Sequence, residues 1–239
     1  GLRTSITNGV STVLAQHDRV IVLEDDIVVS RSFLQYMDAA LLEYQHVPQI
    51  WQVSGYFVPG YSPGRTAGFL RMPACWGWGT WRSRWCHYCD DAVSLRGQVQ
   101  STGIERFNLE DSYHFFDELN RNADGRLDTW HVRWYASMFL RQALAVYPPR
   151  SLTRNIGFDA RGSNCHGGRM SEVYHRQKIW NGLPKLPEVS NLPTESVALL
   201  ARQIRFNRWQ NAVWSQSTLP DRLKSRLRQT INAALKKLK

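Results

Sequence analysis

The sequence predicts an α/β fold, because short apolar runs rich in β-branched residues alternate with longer segments of helical periodicity. The 239 residues are 43% hydrophobic and 21% charged, a composition typical of a globular protein with a substantial core. No apolar run reaches eighteen residues, and three acidic residues interrupt the most apolar stretch, Val20–Val29. We therefore expect neither a membrane-spanning helix nor a cleavable leader at residue 1.

The individual elements follow from spacing and from the residues that bound them. Apolar positions at helical spacing predict four helices, over residues 3–16, 30–45, 108–121 and 130–144. Short apolar runs predict four strands, over residues 19–23, 49–53, 69–72 and 145–147. Three closely spaced prolines, Pro184, Pro187 and Pro193, indicate a linker, so we predict one domain over 1–183 and a linker with a helical tail over 184–239.

Charge is concentrated at the C-terminal end. Residues 201–239 hold ten Lys and Arg and one acidic residue, which leaves 20 basic and 19 acidic residues in the rest of the chain. A nearly neutral body argues against nucleic-acid binding. From residue 220 the apolar residues recur at helical spacing between basic ones, which fits either an anionic membrane surface or a helix packed on the domain with a solvated basic face.

Three consecutive acids, Glu24, Asp25 and Asp26, directly follow the first predicted strand. Ionised carboxylates at such a strand end repel each other, and a hard cation such as Mg²⁺ or Mn²⁺ removes that cost. Ligands of open α/β sheets also bind at the carboxyl ends of strands. The sequence therefore predicts a metal site here, with an acidic turn before the next helix as the alternative.

A tryptophan-dense segment runs from residue 76 to residue 85. Trp76 and Trp78 alternate with Gly77 and Gly79, which allows aromatic faces beside small residues to stack on a sugar ring. An aromatic core under a loop is the alternative.

Asp128 precedes a predicted helix that contains Trp130. It fits a helix N-cap, or a carboxylate that takes a proton from a hydroxyl group. Glu110 and Asp111 are rivals for the second role, although the predicted helix over 108–121 favours surface positions for them.

The loop over 155–168 includes Arg161 and His166. Its composition suits a loop that closes over a diphosphate, and an ordinary surface loop is the alternative.

Cysteine usage does not indicate a disulfide scaffold. Cys86 and Cys89 flank His87 in a pattern that resembles half of a zinc site, which Cys75 with Cys165 or His166 would have to complete. Because a second clear ligand pair is missing, reduced cysteines of a cytosolic protein are favoured.

In this order and spacing, these stretches resemble glycosyltransferases of the GT-A fold, especially bacterial sugar transferases related to the N-acetylglucosaminyltransferase I family. The resemblance covers residues 1 to about 170. It is carried by residues 20–26 with 30–36, 76–81, 133–137 and 151–162. The resemblance implies a GT-A domain that inverts at the anomeric carbon and takes a nucleotide-sugar donor, with UDP the expected nucleotide.

The resemblance also implies roles for single residues. Asp26 would bind Mn²⁺ or Mg²⁺, Glu24 and Asp25 would orient ribose, sugar or metal-bound water, and Asp128 would be the base on the acceptor hydroxyl. The tryptophan–glycine segment, Trp130, Arg161 and His166 would contact donor or acceptor. A glycan or lipid-linked acceptor of surface polysaccharide synthesis is implied, at the cytoplasmic face of the membrane.

The start of the chain departs from the resemblance. A GT-A domain places its nucleoside-binding strand and helix roughly 70–90 residues before the acidic triplet, whereas 23 residues precede Glu24 here. We therefore expect the first βα unit to be absent, which leaves a non-catalytic nucleotide- or glycan-binding remnant as the alternative function.

Overall fold

A computed structural model of the protein describes residues 1–58, 68–157 and 177–189. The strands are β1 (Arg19–Val22), β2 (Ile27–Val29), β3 (Ile50–Ser54), β4 (Gly68–Leu70), β5 (Trp78–Trp81), β6 (Leu144–Tyr147) and β7 (Thr153–Asn155). The helices are α1 (Leu2–Gln16), α2 (Phe33–Glu43), α3 (Arg82–Trp85), α4 (Ala92–Thr102), α5 (Ile104–Phe107), α6 (Phe115–Ala123) and α7 (His131–Leu140).

Five strands form a mixed sheet in the order β1-β5-β3-β6-β4, which confirms the predicted α/β class. Only the β3–β6 pair is parallel, while the other three pairs are antiparallel. β1 and β4 are the edges of this sheet. The antiparallel β1–β5 pair sets Val22 opposite Trp78, so that the residues before Trp78 continue alongside the residues that follow β1.

The sheet is covered on both faces, which explains why all five residues of β3 are buried. One face packs on α2, where Phe33, Met37 and Leu41 repeat at helical spacing in one apolar cluster. The larger cluster on the other face includes α7 and the helices α4 and α6 that pack against it. Successive strand residues alternate between the two clusters, with Phe69 in one and Leu70 in the other.

A separate two-stranded sheet joins β2 to β7 in antiparallel register, with Ile27 opposite Asn155. The backbone N–H of Ile156 then donates to the carbonyl of Asp26 at 2.9 Å. This small sheet brings the end of the acidic triplet to a segment about 130 residues later in the chain.

Several helix predictions are confirmed, and one is wrong in its first half. Helices α1, α2 and α7 and strands β1, β3, β4 and β6 occur within a few residues of their predicted positions. The predicted helix over 108–121 is confirmed from Phe115, where α6 begins, but it is wrong before that residue, because Leu109, Glu110 and Asp111 have φ values of 52–56° and form a left-handed turn. The side-chain oxygen of Asn108 accepts the backbone N–H of Phe116, which ties this turn to the start of α6.

The chain from residue 177 to residue 189 packs on α2. The hydroxyl of Tyr44 donates to the carbonyl of Pro187 at 2.7 Å, and the hydroxyl of Ser32 donates to the carbonyl of Gly182 at 3.1 Å. The predicted boundary after residue 183 falls inside this packed segment, and the predicted basic helix over 220–239 lies outside the described residues. In the described part of the chain, no helix has the length and apolarity needed to cross a membrane.

Candidate functional site

The acidic triplet forms a tight turn at the carboxyl end of β1. The N–H of Ile27 donates to the carbonyl of Glu24 at 3.1 Å, so that β2 starts directly after Asp26. The β1–β5 register places residues 75–77 beside the turn, and a Cβ on Gly77 would lie 3.3 Å from the Leu23 side chain. Gly77 has a φ of 78°, a conformation that glycine adopts without strain. Two loops therefore meet at this sheet edge.

The carboxylates of Glu24 and Asp26 lie in surroundings that disfavour their charge. Burial, with Asp26 and Asp25 nearby, raises the pKa of Glu24 to about 7. Burial is also the main cause that raises the pKa of Asp26, whereas the side-chain amide of Asn155 opposes the rise. Among the described residues, no Lys, Arg or His forms an ion pair with any of the three acids.

Asp26 has the most constrained carboxylate of the three. Its Oδ1 is buried and has no hydrogen-bond partner among the residues that the structure describes. On the other side of the carboxylate, a Cβ added to Gly157 would overlap Oδ2 and lie 3.0 Å from Cγ. The side-chain oxygen of Asn155 accepts the N–H of Gly157 at 2.7 Å and so holds the glycine in place. A buried carboxylate oxygen without a partner has the chemistry of a ligand for a hard cation.

These residues fit a cation that keeps most of its ligands outside the protein. No group of three or more His, Cys, Asp and Glu side chains that could hold a metal ion occurs within the described residues. Mg²⁺ and Mn²⁺ accept one or two carboxylates together with water and phosphate oxygens, which matches a single ligand at Asp26.

The tryptophans predicted to stack on a sugar are partly core residues. Trp78 is 0% exposed and Trp130 is 3% exposed, and their rings stack on each other with centroids 4.9 Å apart. Such rings have no free face for a ligand, so the alternative interpretation of an aromatic core applies to them. Gly79 is likewise buried within β5. Trp76 is half-buried next to the acidic turn, with its ring edge-to-face against Tyr56 at 4.6 Å.

Asp128 is not the N-cap of α7, because Trp130 holds that position and no side chain caps the helix. The Asp128 carboxylate instead accepts hydrogen bonds from Arg133, at 3.0 Å, and from Arg3 of α1. These hydrogen bonds lower the pKa of Asp128, and the hydrogen bond from Arg133 has the larger effect. Its side chain is 57% exposed. A carboxylate with a lowered pKa is a weak base, which counts against the role that the resemblance gives it.

The rival acids are also placed differently from the prediction. Glu110 and Asp111 lie in the left-handed turn rather than on a helix, and Glu110 forms an ion pair with Arg71. Three adjacent non-glycine residues in this conformation are unusual, and such strain occurs often at functional sites.

Sequence reasoning missed a cleft of about 260 Å³ on α6. Its lining residues are Tyr113, His114, Asp117, Glu118 and Arg121. Burial raises the pKa of Glu118, whose carboxylate accepts the Tyr113 hydroxyl at 2.8 Å. Burial raises the pKa of the Cys75 thiol, and the charges of Glu24, Glu118 and Asp26 act in the same direction. The signal in the sequence that could have pointed to this cleft is the helical spacing of Asp117 and Arg121, which places both side chains on one face of α6.

Three predicted contributors cannot be placed. Arg161, His166 and Cys165 lie outside the described residues. The remaining cysteines, Cys75, Cys86 and Cys89, are free thiols.

No protein-family model matches the chain, and no curated protein matches it significantly.

Proposed function

We propose that this protein is a metal-dependent glycosyltransferase that moves a sugar from a nucleotide-sugar donor, UDP-linked in our proposal, to a glycan or lipid-linked acceptor with inversion. The observation that carries the proposal is the acidic turn at the end of β1. The carboxylates of Glu24 and Asp26 are partly buried and have no basic partner in the described structure, and Oδ1 of Asp26 is buried there without a hydrogen bond. A folded protein tolerates such a turn when a ligand supplies positive charge.

The roles of the residues follow from this placement. Asp26 would hold Mn²⁺ or Mg²⁺, while Glu24 and Asp25 would orient the ribose, the sugar or a metal-bound water. A bound cation would neutralise the charge that grows on the leaving nucleoside diphosphate. Trp76 and the backbone at Gly77 line the approach to the turn, and Gly157 leaves room for the Asp26 carboxylate.

The acceptor and the location form part of the same proposal. A lipid-linked acceptor of surface polysaccharide synthesis would be met at the cytoplasmic face of a membrane. The basic segment 220–239 would then contact anionic lipid. Sedimentation of the full chain with phosphatidylglycerol vesicles, but not with phosphatidylcholine vesicles, is the expected result.

Calorimetric titration of the full chain with UDP and then with GDP, with and without Mn²⁺, tests the proposal. We expect one nucleotide to bind only when Mn²⁺ is present, and its identity names the donor class. Asp26→Asn should weaken this binding by at least about tenfold. Asp38→Asn is the matched control, because Asp38 is a surface acid paired with Arg19. A folded wild-type chain that binds neither nucleotide would contradict the proposal.

A nucleotide-binding domain without transfer activity is the second candidate. The two arginines that neutralise Asp128 favour it, because they weaken the base that the resemblance implies. Release of UDP from UDP-N-acetylglucosamine, measured with Mn²⁺, separates the two functions. Mn²⁺-dependent UDP binding without any release would favour the binding domain.

A further inference from the structure

His131 is the first residue of α7, and one nitrogen of its ring is fixed by the backbone. Its Nε2 lies 3.2 Å from the carbonyl oxygen of Pro73. A carbonyl oxygen can only accept, so Nε2 carries the proton of this hydrogen bond. In the neutral ring Nδ1 is then the unprotonated nitrogen with a free lone pair. Within the described residues, no hydrogen-bond partner of Nδ1 is found.

The segment that His131 contacts leads directly to the candidate site. Three side chains donate hydrogen bonds to three consecutive carbonyls of this segment. Tyr147 donates to the carbonyl of Met72 at 2.7 Å, His131 to that of Pro73, and Gln52 to that of Ala74 at 2.8 Å. The next residue, Cys75, comes three residues before Trp78, which is the strand partner of Val22 at the end of β1.

A second route of contacts also joins His131 to the acidic turn. Its ring lies edge-to-face against Trp130, which stacks on Trp78, the register partner of Val22 at the end of β1. Two ring contacts and the β1–β5 pairing therefore connect His131, on α7, to the end of β1.

The surroundings of the ring keep it neutral. Burial lowers the pKa of His131, and the hydrogen bond to Pro73 opposes this only in part. The ionisable groups of the adjoining segments are Cys75, Glu118 and the Asp128–Arg133 pair. Burial keeps the Cys75 thiol neutral, and Arg133 neutralises Asp128. A neutral imidazole with an oriented ring is a suitable general base near neutral pH.

We propose that His131, and not Asp128, is the general base of the transfer reaction, and that its Nδ1 takes the proton of the acceptor hydroxyl. This inference rests on the proposed function. As the acceptor oxygen bonds to the anomeric carbon, its proton passes to Nδ1, and the bond from that carbon to the diphosphate oxygen breaks. The electron pair leaves with the nucleoside diphosphate. The Pro73 carbonyl holds the ring and stabilises the imidazolium that forms.

The first test does not depend on turnover. Nitrogen-15 NMR of the histidine rings, with His131→Gln for assignment, reports which ring nitrogen is protonated. We expect the Nε2–H form at pH 7, with a pKa below the ordinary value of about 6.5. Protonation at Nδ1 in the neutral ring would overturn the inference and would leave the proposed function untouched.

The second test measures UDP release from UDP-N-acetylglucosamine by the full chain with Mn²⁺. His131→Gln keeps an N–H donor for the Pro73 carbonyl but removes the basic nitrogen. We expect kcat to fall at least about 100-fold, with Mn²⁺-dependent UDP binding unchanged. The rise of the rate with pH between about 5 and 7 should disappear in this variant, whereas Tyr147→Phe should retain it.

Tyr147→Phe is the control for a purely structural role. It removes the neighbouring hydrogen bond, to Met72, and leaves the imidazole in place. We expect less than a threefold change in kcat. Equal losses in Tyr147→Phe and His131→Gln, or a His131→Gln variant of wild-type rate, would overturn the inference. A wild-type chain that binds UDP but releases none would instead remove the proposed function, and the inference with it.

Discussion

Two groups of acidic residues that the sequence predicts for one site have opposite surroundings in the structure. Asp128 is neutralised by Arg3 and Arg133, and its pKa is lowered. The acidic turn at Glu24–Asp26 has no basic partner in the described structure, and the pKa values of Glu24 and Asp26 are raised. Within the described residues, the fold therefore pairs Asp128 with two arginines and gives Glu24 and Asp26 no basic partner.

The basic partners of Asp128 also explain what this residue does in the fold. Arg3 belongs to α1, and it pairs with Asp90 as well as with Asp128. Arg133 belongs to α7. Asp128 thus links the first helix to the helix that begins at His131. This role accounts for an acidic residue at this position without any catalytic function.

The largest expected effect is the loss, in Asp26→Asn, of the stabilisation against unfolding that UDP and Mn²⁺ give the wild-type chain. For the wild-type chain at a UDP and Mn²⁺ concentration about 100 times the dissociation constant, the stabilisation should be about 2.7 kcal/mol. Asp26→Asn should lose this stabilisation, because the unpartnered Oδ1 is the expected cation ligand. Thermal unfolding with and without the ligands measures the difference. Equal stabilisation of both proteins would place the cation elsewhere.

A smaller effect is expected from a methyl group beside Asp26. In Gly157→Ala the added Cβ overlaps the Asp26 carboxylate, which should cost about 1–3 kcal/mol of folding free energy and weaken Mn²⁺-dependent binding. Gly97→Ala is the matched control, because nothing lies within 4 Å of a Cβ at that position in α4. That variant should be stabilised by up to about 1 kcal/mol. Urea unfolding distinguishes the two.

The raised pKa of Glu24 predicts a pH dependence in the metal-free protein. Between the ordinary value, 4.5, and about 7, the native state binds more protons at Glu24 than the unfolded state does. The free energy of unfolding should therefore fall as the pH rises through this window and then level off. Solvent screening limits the effect to about 1–2 kcal/mol. Urea unfolding in chelator should show the decline in the wild type and a weaker decline in Glu24→Gln.

The smallest effect is expected at Asp128. Asp128→Asn removes two partly exposed ion pairs and should cost no more than about 1 kcal/mol, with a difference that shrinks in high salt. Because the pKa is lowered in the fold, this contribution is present at neutral pH and is lost as the pH falls through the lowered pKa. Near-normal UDP release is expected. A loss of release above about 100-fold would restore Asp128 as the base.

Elements with a strong local signal could be predicted from the sequence. Helix α2 repeats Phe33, Met37 and Leu41 at helical spacing, and β1 is a β-branched run that ends in acids. β2 and β7 were missed, because β2 follows the acidic turn without a break in the pattern and β7, Thr153–Asn155, contains no apolar residue. The left-handed turn at 109–111 was missed because its apolar and polar residues continue a helical pattern. The structure interrupts the helix there, and the side chain of Asn108 accepts the N–H of Phe116 across the turn.

The sequence by itself determined the α/β class, the strand at Arg19–Val22 and the three carboxylates that follow it. Only the tertiary structure decided which carboxylates find a cation, which tryptophans are buried and which residues approach Asp26. Those outcomes depend on the β1–β5 and β2–β7 pairings, which join segments about 60 and 130 residues apart. Such pairings are selected by the packing of the whole core, so no local pattern in the sequence specifies them.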